Sequence, residues 1–270
     1  MPLLTVKEAE ELIPALKGRD RLTEFLIKAL NINKVSDLYD EICGNTGADF
    51  ATAFLKEEKI SYRLKGEENL DKIPDGPFIT ISNHPYGALD GIMLIDLIGQ
   101  RHKGFKVMVN QFLTLVKALR PSLISVNPAT DLRKGITATN LQGVREVFRN
   151  LHDGLPVGFF PSGAVSDFIP RRHCIEDRPW QTDVIKIIRK AHVPVVPVRF
   201  FDRNTAFYYF LGLIDWRIRV LRLPTEVTNK KGKHPRIGIG DIITPEMQDR
   251  FTDIGAFGKY LRDSVYSQTF

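Results

Sequence analysis

Apolar positions along the chain fall into two regimes. From the N-terminus to about residue 64, Leu and Ala mix with Glu and Lys at helical spacing, as at Leu22, Phe25, Leu26, Ala29 and Leu30. This spacing predicts a small helical subdomain over 1–70. Lys65 to Pro77, with two prolines and two glycines, reads as a turn-rich boundary. From Phe78 onward, short β-branched and aromatic runs alternate with longer amphipathic ones. They predict strands at 78–82, 105–109, 123–127, 156–160 and 193–200, with helices at 89–98, near 110–119, near 132–151 and at 181–191. Strands separated by helices predict an α/β domain over 71–270, a mostly parallel sheet flanked by helices on both faces. In such sheets ligands bind where the carboxyl ends of the strands meet the following loops.

The strand at 78–82 runs into Asn83-His84-Pro85-Tyr86-Gly87-Ala88-Leu89-Asp90-Gly91. On one helix, at about 100° per residue, positions six apart point about 240° apart, so His84 and Asp90 meet only if the chain bends between them. Pro85 and Gly87 supply such a bend. Leu89 to Ile98 is apolar and closes on Gly99, which places Asp90 in the first turn of a buried helix and His84 on the loop before it. An imidazole held by a carboxylate is a general base, whereas the same two residues apart are turn and helix-start residues. A second stretch, Gly158 to Ser166, ends a strand in Phe160-Pro161-Ser162-Gly163. Its backbone N–H groups fall at the sheet edge, either as oxyanion donors or as an ordinary turn. Ser162 is not in the G-x-S-x-G setting of a nucleophile. Arg171, Arg172 and His173 form either an anion site or a solvated basic loop.

Composition narrows the classes. Hydrophobic residues at 43% and charged residues at 26% belong to a globular protein, and 38 basic against 32 acidic residues leave a net charge of +6. That excess suits anionic lipid, an acidic carrier protein or nucleic acid. Cys43 and Cys174 are far apart and outside any C-x-x-C spacing, so neither a disulfide framework nor a metal site is expected. The acidic N-terminal stretch argues against a signal peptide, and no apolar run approaches the roughly 18 residues of a membrane-spanning helix. The 207–222 stretch, aromatic and apolar with Arg217, Arg219 and Arg222 at its end, is either an interfacial segment or a core helix. Asn229 to Arg236 reads as a solvated hairpin turn, and it lacks the interleaved aromatics of a nucleic-acid site.

In this order, Asn83-His84 with Asp90, Phe160-Pro161-Ser162-Gly163 about 75 residues later, and Val193-Pro194-Val195-Val196-Pro197-Val198 resemble the glycerolipid (lysophospholipid) acyltransferase superfamily, over about 78–245. The resemblance implies acyl transfer from an acyl-carrier-protein or coenzyme A thioester, with His84 as base and Asp90 as its orienter. Asn83, Phe160, Pro161, Ser162 and Gly163 then line the substrate site, and no bound cofactor or metal is expected. The spacing of His84 and Asp90 departs from the usual four intervening residues, since five stand here, and is similar to bacterial ornithine-lipid and glycine-lipid amino-acid N-acyltransferases. The family's third block usually carries a glutamate and an arginine, where this chain has Ser162 and Val165. The expectation is therefore N-acylation of a small amino acid, glycine or ornithine, with Arg171 or Arg172 on its carboxylate. Acyl carrier protein is the expected partner, at the cytoplasmic face of the cell membrane, with peripheral attachment. The alternatives are lysophospholipid or glycerol-phosphate O-acylation, and a non-enzymatic basic protein that binds lipid or nucleic acid.

Overall fold

A computed structural model describes residues 17–21, 23–24, 32–110, 113–114, 116–126, 138–214, 219 and 222–270. The helical spacing at Phe25, Leu26, Ala29 and Leu30, and Leu22, lies outside them. Helices α1 (Ile32–Ile42) and α2 (Gly47–Glu57) precede strand β1 (Arg63–Lys65). Then follow β2 (Ile79–Ser82), α3 (Ala88–Gly99), β3 (Lys106–Asn110), β4 (Leu123–Val126), α4 (Ala138–His152) and β5 (Val157–Phe159). A hairpin of β6 (Asp167–Ile169) and β7 (Cys174–Glu176) leads to α5 (Thr182–Ala191), β8 (Val195–Phe200), α6 (Ala206–Ile214) and α7 (Leu223–Thr228). Strand β9 (Arg236–Ile239), α8 (Pro245–Gln248) and α9 (Ile254–Tyr266) complete the chain.

The main sheet has the order β1-β9-β8-β2-β5-β3-β4, parallel throughout except where β9 runs antiparallel to β8. The expected α/β fold with a mostly parallel sheet is thus the observed one. β2 and β5, in the middle, are buried on both faces, as strands covered by helices on either side must be. One face packs Phe78, Val196 and Val198 against Phe50, Phe54, Met93 and Leu94 of α2 and α3. The other packs Ile79, Ile81, Val157 and Phe159 against Ile185, Ile188, Phe257, Leu261 and Val265 of α5 and α9. β1 lies N-terminal to the expected boundary at 70 and yet is the outer strand of this sheet.

Two expectations need correction. No α-helix occupies the described part of 110–119: β3 continues to Asn110, which pairs with Val126, and Lys117–Ser122 is a 3-10 helix. Pro121, within it, has no N–H to donate to the Lys117 carbonyl, as an α-helix there would need. Asn229 to Arg236 is not a hairpin, since it joins α7 to β9, and Lys230 is buried rather than solvated. The ammonium of Lys230 reaches Glu226 Oε2 at 3.3 Å, and that buried carboxylate draws it inward. Of the expected helix over 132–151, the part from Ala138 is described and is helical.

Candidate active site

β2, β5 and β8 lie side by side and parallel, so the loops after Ser82, Phe159 and Phe200 converge at one edge. The loop after β2 carries His84. Gly87, at φ +84°, turns the chain into α3 and sets Asp90 in its first turn. Asp90 is fully buried, and its Oδ2 accepts hydrogen bonds from the N–H groups of Tyr86 (2.8 Å) and Gly87 (3.0 Å). The bend brings His84 Nδ1 to 3.1 Å from the same oxygen, although the ring N–H does not point squarely at it. Asp90 Oδ1 is buried without a hydrogen-bond partner among the described residues. Burial pushes the Asp90 carboxyl up from the ordinary range, opposed by the adjacent imidazole and the two N–H groups.

The rest of the His84 loop is held by residues distant in sequence. Its N–H donates to Asp177 Oδ1 (3.1 Å) and its carbonyl accepts from Ser166 N (2.9 Å). Ser166 Oγ and Trp180 Nε1 also donate to Asp177, at 2.6 and 3.1 Å, and burial pushes that carboxyl up as well, against these donors. Tyr209 Oη donates to the Pro85 carbonyl (3.0 Å), and Asn204 Nδ2 to that of Tyr86 (3.2 Å). The Phe160 ring lies over the imidazole, with centroids 4.1 Å apart. With its main chain pinned on both sides, His84 keeps one imidazole edge toward Asp90 and its side chain 17% exposed at the sheet edge.

Not all the residues singled out in the sequence face this position. The Asn83 amide is spent on β8: Nδ2 donates to the Phe200 carbonyl (2.9 Å) and Oδ1 accepts from its N–H (2.8 Å). That double bond ties the loop after β2 to β8, which is a structural role rather than a substrate contact. Ser162 is buried, with Oγ donating to the Ala164 carbonyl (2.8 Å), and the Pro161 carbonyl accepts from Gln181 N (2.9 Å). The Gly163 N–H closes a turn onto the Phe160 carbonyl (2.9 Å), so it is not free to hold an oxyanion. Arg171 and Arg172 sit on the 3-10 turn Pro170–Arg172 at the tip of the β6/β7 hairpin, where Arg172 pairs with Glu176 at 2.5 Å. At about 3.3 Å per strand residue, the backbone of that tip lies roughly 10 Å or more along the hairpin from Ser166. Asp177, Ser166, Asn204 and Tyr209 were not legible as site residues, because no local pattern sets them apart.

Among the described residues no group of three or more His, Cys, Asp or Glu could hold a metal ion, and no helix is long and apolar enough to cross a membrane. In chemical terms, the site offers an imidazole beside a buried carboxylate at the open end of a parallel sheet, the arrangement of a general base.

The chain is also similar to known proteins. The chain is 28% identical over 255 residues to a lyso-glycine lipid O-acyltransferase of Bacteroides thetaiotaomicron, covering 91% of this chain and 89% of that protein. It is 27% identical over 229 residues to a protein of the same name from Phocaeicola vulgatus, covering 82% and 77%. The fold matches the crystal structure of the 1-acyl-sn-glycerophosphate acyltransferase PlsC from Thermotoga maritima, with a TM-score of 0.50, 17% identity and coverage of 81% and 79% of the two chains. The profile of the Acyltransferase family spans residues 16–266, from ahead of α1 to the end of α9. With the His84–Asp90 pair at the edge of a sheet of this architecture and the family profile running through nearly the whole length, this chain belongs to the acyltransferase family.

Proposed function

We propose that the protein transfers a fatty acyl group from an acyl-carrier-protein or coenzyme A thioester to a hydroxyl of a lyso-glycine lipid, at a membrane surface. The observation that carries this reading is the approach of His84 Nδ1 to the buried Asp90 carboxylate at 3.1 Å. With Nδ1 turned to Asp90, Nε2 takes the proton from the acceptor hydroxyl as its oxygen attacks the thioester carbonyl carbon. The tetrahedral intermediate collapses with cleavage of the C–S bond, and the imidazolium returns the proton to the departing thiolate. Asp90 stabilises the transient imidazolium and sets the tautomer.

The choice of oxygen as the acceptor departs from the N-acylation expected from the sequence, and rests on the names of the two relatives. A non-phosphorylated acceptor fits the 160–166 stretch in both readings. It contains no arginine, lysine or acidic side chain, and Ser162 at the glutamate position is buried in a bond to its own turn. No side chain of that stretch is itself a guanidinium for a phosphate monoester with close to two negative charges, and the neighbouring Arg219 is already offset by Asp167. Attachment to the membrane is assigned to α6, where Phe207, Phe210, Leu213 and Ile214 are 51 to 61% exposed.

The test is purified protein with acyl-carrier-protein and coenzyme A thioesters, offered lyso-glycine lipid, glycine, ornithine and lysophosphatidic acid. Mass spectrometry with mild alkaline hydrolysis distinguishes ester from amide products. An alkali-labile ester on lyso-glycine lipid is the expected product. N-acylglycine or N-acylornithine as the main product restores the amine acceptor, and preference for lysophosphatidic acid refutes both.

A further inference from the structure

A cavity of about 480 Å³ opens beside the His84 loop, between the β6/β7 hairpin and α6. Phe168, Leu213 and Ile214 give it an apolar side, and Arg178 and Arg219 a basic one. Tyr209, which also lines it, is the residue whose hydroxyl holds the Pro85 carbonyl. The cavity therefore shares a wall with the proposed catalytic loop.

Arg219 is the unusual group. Its side chain is 4% exposed, and its Nη atoms donate to Asp167 Oδ1 (2.5 Å), Ser166 O (3.2 Å) and Val165 O (3.3 Å). Its Nε is buried and has no hydrogen-bond partner among the described residues. An unmet buried guanidinium donor carries a desolvation cost and is met in most proteins, or by a ligand. Gly212 packs against that edge: a Cβ there would stand 2.8 Å from Arg219 Cδ and 3.3 Å from Nε, so only a glycine fits beside the guanidinium. Arg178 approaches the same Asp167 from the other side, with Nε 2.6 Å from Oδ2. Of the residues lining the cavity, one carboxylate thus faces two guanidinium groups, which leaves a single surplus positive charge.

We propose that this cavity is the acceptor head-group subsite, in which Arg219 and Arg178 hold the carboxylate of the lyso-lipid while the apolar side takes the start of its chain. A monoanion neutralises the surplus, and a carboxylate matches the planar fork of a guanidinium. The position suits the proposed reaction. The Arg219 guanidinium bonds the Ser166 carbonyl, and the Ser166 N–H bonds the His84 carbonyl, so the two residues are within roughly 10 Å. A carboxylate bound there leaves an oxygen several bonds away within reach of the imidazole. This subsite rests on the acyl-transfer reading above and names what distinguishes its acceptor.

The experiment compares lyso-glycine lipid with its carboxamide analogue, in the unaltered protein and in Arg178→Gln and Arg219→Gln. The carboxamide should show a KM about 10- to 100-fold higher with little change in kcat, the range of a charge-assisted hydrogen bond. Each variant should raise KM for the carboxylate more than for the carboxamide, narrowing the gap between the two acceptors. Equal KM for the two acceptors in the unaltered protein overturns the subsite. Arg219 also holds the 165–167 backbone, so Arg178→Gln, altering a half-exposed side chain, reads the same question if Arg219→Gln fails to fold. Calorimetric binding of the two lipids needs no turnover. Carboxylate-selective binding lost in Arg178→Gln, in a protein that acylates neither lipid, supports the subsite and refutes the reaction. Acylation indifferent to the head group does the reverse.

Discussion

At the scale of single residues, the site is one carboxylate and one imidazole with unequal environments. Asp90 has no exposure, and its raised pKa means that the native state gives up this proton less readily than the unfolded chain. Its ionisation therefore costs stability, absent while the carboxyl is protonated in both states, below the ordinary carboxylate range. The cost grows as pH rises from the ordinary carboxylate range toward the raised folded value, and is fully present above it. Asp90→Asn removes it and can keep the acceptor oxygen for the Tyr86 and Gly87 N–H groups. This variant should melt at the same temperature as the parent or higher near neutral pH, with the advantage shrinking toward pH 4, and yet lose acyl transfer by roughly 10²- to 10⁴-fold. A destabilised variant with full activity would reverse both halves of that argument. His84→Ala should lose a similar factor in kcat with an unchanged melting transition, because the loop is held by its main chain, through Asp177 and Ser166, and not by the imidazole. Circular dichroism melts together with a thioester-release assay settle both cases.

At the scale of elements, α6 stands out, because a helix with Tyr208 and Tyr209 buried leaves Phe207, Phe210, Leu213 and Ile214 toward solvent. Tyr208 and Tyr209 face inward, Tyr209 at the cavity wall, and the exposed apolar side chains run along the other side of the helix and over the cavity mouth, backed by Arg222, whose guanidinium lies over the Phe207 ring at 4.8 Å. Exposed apolar side chains beside basic groups are suited to the head-group layer of an anionic bilayer, and the prediction is that α6 docks there. The protein should bind vesicles containing anionic lipid reversibly, and raising salt should weaken the binding by screening the charge contribution. Replacing Phe207, Phe210 and Leu213 together by serine should reduce sedimentation with vesicles at least 10-fold, since each buried large apolar side chain contributes about 1.5 kcal/mol or more. Undiminished co-sedimentation of the triple variant would assign the contact to another surface.

At the scale of the whole molecule, the site depends on how closely the central strands approach. β5 lies between β2 and β3, and Gly158 sits where a Cβ would meet Phe105 Cζ at 2.8 Å and Thr80 Oγ1 at 2.9 Å, both in buried residues. Gly158→Ala should therefore destabilise by about 1–3 kcal/mol through overpacking. At roughly 2–4 °C per kcal/mol for a protein of this size, the loss is readable as a lower Tm in calorimetry. Because the loops after β2 and β5 carry His84 and Phe160, kcat should fall with it. An unaltered Tm would show that the sheet opens freely at this point.

What the sequence determined by itself is local or ordered along the chain. Helix α3 was legible because Leu89 to Ile98 is apolar and ends at Gly99, and the bend before it because Pro85 and Gly87 restrict the backbone in known ways. The strands at 79–82, 157–159 and 195–200 were legible as β-branched and aromatic runs, and their alternation with helices predicts a parallel sheet. That bend left open whether His84 and Asp90 meet, and the tertiary structure decided it, with 3.1 Å between Nδ1 and Oδ2. Pairing across long separations was decided only by the tertiary structure. Nothing near Arg236 reveals that β9 runs antiparallel to β8, or that β1 closes the sheet ahead of the expected boundary, because register depends on partners and not on a strand's own composition. Arg171 and Arg172 looked available because they are adjacent in sequence and basic, whereas the buried Arg219 faces the cavity from a distant segment, and Asp177 reaches the His84 loop from 93 residues away. A hydrogen bond between such residues leaves no periodicity in the chain. It arises only when the sheet has placed the ends of β2, β5 and β8 together, and burial then favours a partner for most polar groups there.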